Sequence, residues 1–69
     1  MSVFKDFIKL DQFLKRMGVV QSGGEAKIFI RSGEVEVNGT VETRRGRKLV
    51  AGDRVTCYGQ ELRVENLSD

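Results

Sequence analysis

The chain contains no histidine, so the commonest general base and the commonest side-chain metal ligand are both missing. Cys57 is its only cysteine, which excludes an intrachain disulfide and, taken alone, a structural zinc site. A nucleophilic thiol needs a base partner, and none is evident. In RVTCYG, Cys57 alternates onto the same face as Val55 and is expected to be a small core residue. Aromatics are scarce, with one tyrosine, four phenylalanines and no tryptophan. Tyr58 is expected on a sheet face with no row of rings beside it, which argues against a platform for stacking single-stranded bases. No apolar run approaches the roughly 18 residues of a membrane span. Asp6 and Lys9 interrupt the N-terminal MSVFKDFIKL, which therefore does not read as a signal peptide; a cytoplasmic protein is expected. A chain of 69 residues buries only roughly 60% of the surface its unfolded form exposes, leaving little stability to carry a deep pocket. With no paired acid and base and no metal cluster, it is read as non-catalytic, with no cofactor, no metal and no small-molecule substrate.

What the chain does have is an uneven charge distribution. The net charge is only +2. Yet residues 44–48 read RRGRK, four cations in five positions with no acid among them. Glu34, Glu36, Glu61 and Glu65 fall in strand-like segments, whereas the other cations gather in two helix-like ones. That separation can give one face a positive potential although the total is small. Like charges concentrated in one turn repel, so the RRGRK loop is destabilised unless an anion compensates.

Residues 3–8 are short and partly apolar, an entry strand or a loose lead-in. Leu10, Phe13, Leu14 and Met17 then follow helical spacing. Asp11 suits the positive end of that helix, Lys15 and Arg16 the negative end, and Gly18 is placed to stop it in a left-handed conformation. Asp11, Gln12, Lys15 and Arg16 form its polar face. Ser22 and Glu25 have capping-box spacing at the start of a second helix, whose buried stripe is Ala26, Phe29 and Ile30. Lys27 and Arg31, four apart, share an exposed face and repel by a few tenths of a kcal/mol, a cost expected where charges serve a partner. Gly33 ends this helix. Val35 and Val37 alternate inward and the two neighbouring glutamates outward. Asn38 and Gly39 make the strongest short hairpin signal, and Val41 begins the return strand. Leu49 and Val50 lead to a second turn at Gly52 and Asp53, Val55 and Cys57 face inward, Gly59 and Gln60 make a third turn, and Leu62 and Val64 close the sheet. The expected fold is α+β, two packed N-terminal helices followed by a small, mainly antiparallel sheet.

Three motifs in order, L-D-x-x-L-x-x-x-G from Leu10 to Gly18, S-x-x-x-A-x-x-x-I-x-x-G-x-V-x-V-N-G from Ser22 to Gly39, and G-D-x-V from Gly52 to Val55, resemble the alpha-L RNA-binding domain. That is the domain named after ribosomal small-subunit protein S-four. The resemblance covers nearly the whole chain and implies a single stand-alone domain over residues 1–69, with a core motif at about 8–58. It is greatest to small bacterial members that share SGGEAK and VNG-x-V-E-T-R-R-x-x-K-L-x-x-GD, described as ribosome-associated or RNA-binding. The family is also found in ribosomal proteins, pseudouridine synthases, RNA methyltransferases and tyrosyl-tRNA synthetases, where the module binds structured RNA.

The resemblance implies a non-catalytic partner of structured RNA, rRNA or tRNA-like, acting in translation in association with the ribosome; the protein is expected to be a monomer with no role at a membrane. It places the two helices and the loop on one surface, and with them Gln12, Lys15, Arg16, Ser22, Lys27, Arg31, Arg44, Arg45, Arg47 and Lys48. Arginine forks pair with phosphate; such contacts set register and affinity without reading sequence. One departure stands out. Many members have Arg directly after the capping serine, and here that position is Gly23, followed by Gly24. The RNA-binding role carries over; that contact does not. The amides at Ser22, Gly23 and Gly24 suit a phosphate oxygen, but Ser22 is equally explained as a cap and the glycines as room for close helix packing. The alternative function is a protein-interaction adaptor, using the basic face or an exposed strand edge over residues 61–64.

Overall fold

The computed structural model describes residues 7–65. A two-residue strand, β1 (Ile8–Lys9), leads into helix α1 (Leu10–Arg16), and a short bridge leads to helix α2 (Gly23–Arg31). The remainder is extended: β2 (Glu36–Val37), β3 (Thr40–Val41), β4 (Lys48–Leu49), β5 (Arg54–Cys57) and β6 (Gln60–Arg63). Four strands form one antiparallel sheet in the order β3-β2-β5-β6, and β1 pairs with β4 in a second, two-stranded one. The expected α+β arrangement of two packed helices ahead of an antiparallel sheet is therefore present. Of the expected lead-in over residues 3–8, Ile8 lies in β1, and residues 3–6 lie outside the described residues.

Local chemistry accounts for the element ends. Ser22 Oγ accepts from Glu25 N at 3.2 Å. The Glu25 carboxylate reaches back to Gln21 N at 2.6 Å, one residue ahead of the cap itself, so each end of the capping pair satisfies a backbone donor. Gly18 and Gly33 stop the helices with φ of 78° and 88°, conformations that cost a side-chain-bearing residue about 1 kcal/mol or more. The Asn38 and Gly39 turn has positive φ at both residues. Asn38 also ties two turns together: its Oδ1 accepts from Arg54 N at 2.9 Å and its Nδ2 donates to Asp53 Oδ1 at 3.2 Å.

The core is one cluster. Leu10, Phe13 and Leu14 of α1 and Ala26 and Ile30 of α2 meet Val35, Val37, Val55, Cys57 and Val64 from the sheet side and Ile8 and Leu49 from the short strand pair. The register sets Val37 opposite Val55, and Val55 opposite Leu62, on the buried face. Each fully buried aliphatic side chain contributes about 1.5–3 kcal/mol. Cys57 is buried as expected, and burial pushes its thiol pKa up.

Three expectations are corrected. Met17 is half-exposed rather than core, because α1 ends at Arg16 and the chain turns away at Gly18. The third turn is Tyr58 and Gly59, one residue earlier than Gly59 and Gln60, because Cys57 pairs with Gln60 and both turn residues take positive φ. Tyr58 thus sits in that turn rather than on the sheet face, and its ring stacks on Phe29 of α2 with centroids 4.9 Å apart.

Candidate nucleic-acid interface

The loop between β3 and β4, residues 42–47, is fixed from two sides. On one side is the start of α1. Its N-cap residue, Lys9, supplies no side-chain hydrogen bond, so the orphan amides of the first turn need other acceptors. Leu10 N donates to Arg47 O at 2.8 Å, and Asp11 N donates to Arg45 O at 3.1 Å. The loop backbone caps the helix, and the helix in turn sets the loop's path.

On the other side is Glu42. Its backbone N donates to Val35 O at 2.9 Å, extending the β2–β3 ladder by one position. Strand alternation then turns Val41 outward and Glu42 inward beside Val35. Glu42 is only 7% exposed and is the one buried charged residue among those described. Its carboxylate accepts from Arg44 N and Nε, each at 3.0 Å, from Arg44 Nη2 at 3.3 Å and from Arg47 Nη1 at 2.9 Å. The Arg44 hydrogen bonds, joined by that from Arg47 and opposed by desolvation, hold the Glu42 pKa down to about 2 from its ordinary 4.5. The same pairing raises the Arg44 pKa. Glu42, two residues before Arg44, thus supplies from within the chain part of the anionic compensation that the RRGRK loop needs. Four cations and one carboxylate still leave a positive surplus over residues 42–48.

Lys27 and Arg31 of α2, distant in sequence from the loop, line one depression of about 360 Å³ together with Thr43, Arg44 and Arg45. A second, of about 520 Å³, is lined by Arg44, Gly46, Arg47 and Lys48. Arg44 borders both. Sites of this size that take small ligands are mostly apolar. Here the named side chains other than Thr43 are cationic, a lining suited to anions. Lys27, Arg31, Arg45 and Lys48 have no carboxylate partner within 4.0 Å among the described residues. Lys48 Nζ lies 4.8 Å from the centre of the Phe7 ring, a weak cation–π contact.

Gln12, Lys15 and Arg16 line a further depression together with Ile8. Ser22 acts as the α2 cap. A Cβ at Gly23 would meet nothing within 4 Å, and one at Gly24 only Ser22 Oγ at 4.0 Å, so close helix packing does not require the glycine pair. Sequence reasoning missed Glu42 and Thr43. The signal available for Glu42 was its place at the end of an alternating strand, two and five residues before the arginines it binds.

Two helices against an antiparallel sheet, with a cationic loop pinned beside the second helix, define a small α+β nucleic-acid-binding domain of the alpha-L type. The profile described as S4 domain matches residues 1–65, and the chain belongs to the S4 domain family, a family of non-catalytic RNA-binding domains. It is 50% identical over 58 residues to the probable ribosome maturation protein RlbA of Bacillus subtilis (strain 168), covering 84% of this chain and 82% of that protein. It is 44% identical over 57 residues to the putative RNA-binding protein YbcJ of Escherichia coli (strain K12), covering 83% and 81% respectively.

Proposed function

We propose that this protein docks on structured ribosomal RNA through the face formed by α2 and loop 43–48 and takes part in ribosome maturation. One observation carries the reading: Lys27 and Arg31 line a single depression with Arg44 and Arg45. Cations from separate segments converge on one depression, which neither segment forms alone. The two relatives, one a probable ribosome maturation protein and the other a putative RNA-binding protein, support the choice of target. The A-form major groove is too deep and narrow for side chains, so recognition rests on phosphates, 2′-hydroxyls and shape. Arginine forks supply geometry and lysines a longer-ranged attraction. The protein acts as a monomer, each copy carrying a complete face.

Crosslinking in cells followed by sequencing of the bound RNA tests this. Enrichment of rRNA segments, with crosslinked peptides from α2 and loop 43–48, is the expected result. Capture of a protein partner that survives ribonuclease, without enriched RNA, would replace this reading with the adaptor function.

A further inference from the structure

We infer that Glu42 is the positioning residue of the phosphate site: it holds one edge of each of two arginines and leaves their other donors for two neighbouring phosphates on either side of Arg44. This rests on the RNA-docking reading above. Arg44 gives Glu42 its Nε and Nη2, which leaves the end-on donors, both on Nη1 and one on Nη2. Arg47 gives only Nη1, which leaves its Nε and Nη2 edge. A guanidinium carries five N–H donors in a rigid fork, so a carboxylate on one edge does not use up the group; it orients what remains.

The surroundings match that division. Arg44 stands between the depression shared with Lys27, Arg31 and Arg45 and the one shared with Arg47 and Lys48. Its side chain is 76% exposed although it is held by the carboxylate. A charged side chain so exposed would ordinarily sample many rotamers, and ordering it on binding costs conformational entropy. Glu42 meets part of that cost in advance of the ligand. The carboxylate stays ionised through the physiological range, its pKa lying near 2, so the clamp is permanently set. The ligand class is a nucleic-acid strand presenting two consecutive phosphates, rather than an isolated anion.

Glu42→Gln separates positioning from bulk electrostatics by sign. The substitution removes one negative charge from a chain of net charge +2, so field effects alone predict tighter RNA binding. Positioning predicts the reverse. Binding of a fluorescein-labelled RNA hairpin is followed by anisotropy across a salt series, with the folded fraction of each protein checked by circular dichroism in the same buffer. The expected result for folded E42Q is about tenfold weaker binding, with a log–log salt slope shallower by about 0.7–0.9, one phosphate contact. Equal or tighter binding by folded E42Q overturns the inference. If E42Q does not fold, the wild-type protein decides: the Arg44 Nε–H resonance should keep its position when the hairpin is added, because the Glu42 bond persists, while the Nη resonances move. An Nε–H that shifts with the Nη groups shows Arg44 leaving Glu42 and overturns the inference. Wild-type protein that binds no RNA even at low salt overturns the docking reading itself, and this inference with it.

Discussion

Protonating Glu42 should remove a measurable part of the fold's stability, and the size of that loss follows from the geometry. The carboxyl has a folded-state pKa of about 2 against an ordinary 4.5. A folded pKa below the unfolded one means that the stabilisation is complete above pH 4.5 and disappears as the pH falls through about 2. At about 1.4 kcal/mol per pH unit the full displacement corresponds to roughly 3 kcal/mol. Much of it comes from Arg44, whose side chain is 76% exposed, so solvent screening reduces the figure to about 1–2 kcal/mol. The assay is urea unfolding of the wild type and E42Q from pH 6 to pH 2. The difference between the two cancels the other carboxylates, whose protonation affects both chains. That difference should be about 1–2 kcal/mol near pH 6 and shrink towards its neutral-carboxyl value near pH 2. A difference that stays constant over the range would show that Glu42 does not act through its charge, and the pinned-loop description would be wrong.

Other outcomes follow from the same structure. Lys27→Ala with Arg31→Ala, and separately Arg45→Ala with Lys48→Ala, should each weaken RNA binding and lower the salt slope by about 1.4–1.8. Circular dichroism should be unchanged, because none of the four has a carboxylate partner within 4.0 Å among the described residues; an unaltered slope in either pair removes that segment from the interface. Alanine at Ser22 should cost about 1 kcal/mol in urea unfolding through loss of the α2 cap, with RNA affinity retained at temperatures where the protein stays folded. Leu14 is wholly buried, and Leu14→Ala should cost about 2–5 kcal/mol, enough to bring a domain of this size near its midpoint; a loss below about 1 kcal/mol would mean the helix pair is loosely packed.

Most of the architecture was legible because its signals are local. Ser22 with Glu25, Gly18, Gly33, and Asn38 with Gly39 each act through backbone conformations or hydrogen bonds spanning a few residues, and alternating valines show which strand face is buried. Met17 misled because the apolar periodicity runs one residue past Arg16, where the helix ends ahead of Gly18. The Tyr58 turn was displaced by one residue because positive φ is uncommon for a tyrosine, so the neighbouring glycine drew the assignment. Strands β1 and β4 are two residues each, too short for any pattern.

At the candidate site, the cationic residues were visible and their support was not. A loop capping α1 through the carbonyls of Arg45 and Arg47 leaves no trace in residue identity, since every residue has a carbonyl. The Glu42 clamp depends on a chain reversal that brings Arg44 and Arg47 back over one carboxylate. The convergence of α2 with the loop is likewise tertiary, and it gathers Lys27 and Arg31 with Arg44 and Arg45, while Gln12, Lys15 and Arg16 line a further depression.

The most direct measurement is the salt dependence of wild-type binding to an rRNA hairpin. If Lys27, Arg31, Arg44, Arg45, Arg47 and Lys48 engage phosphates as one surface, log affinity should fall against log salt with a slope of about −4 to −5. A slope near zero would mean that the converging cations do not meet an RNA backbone.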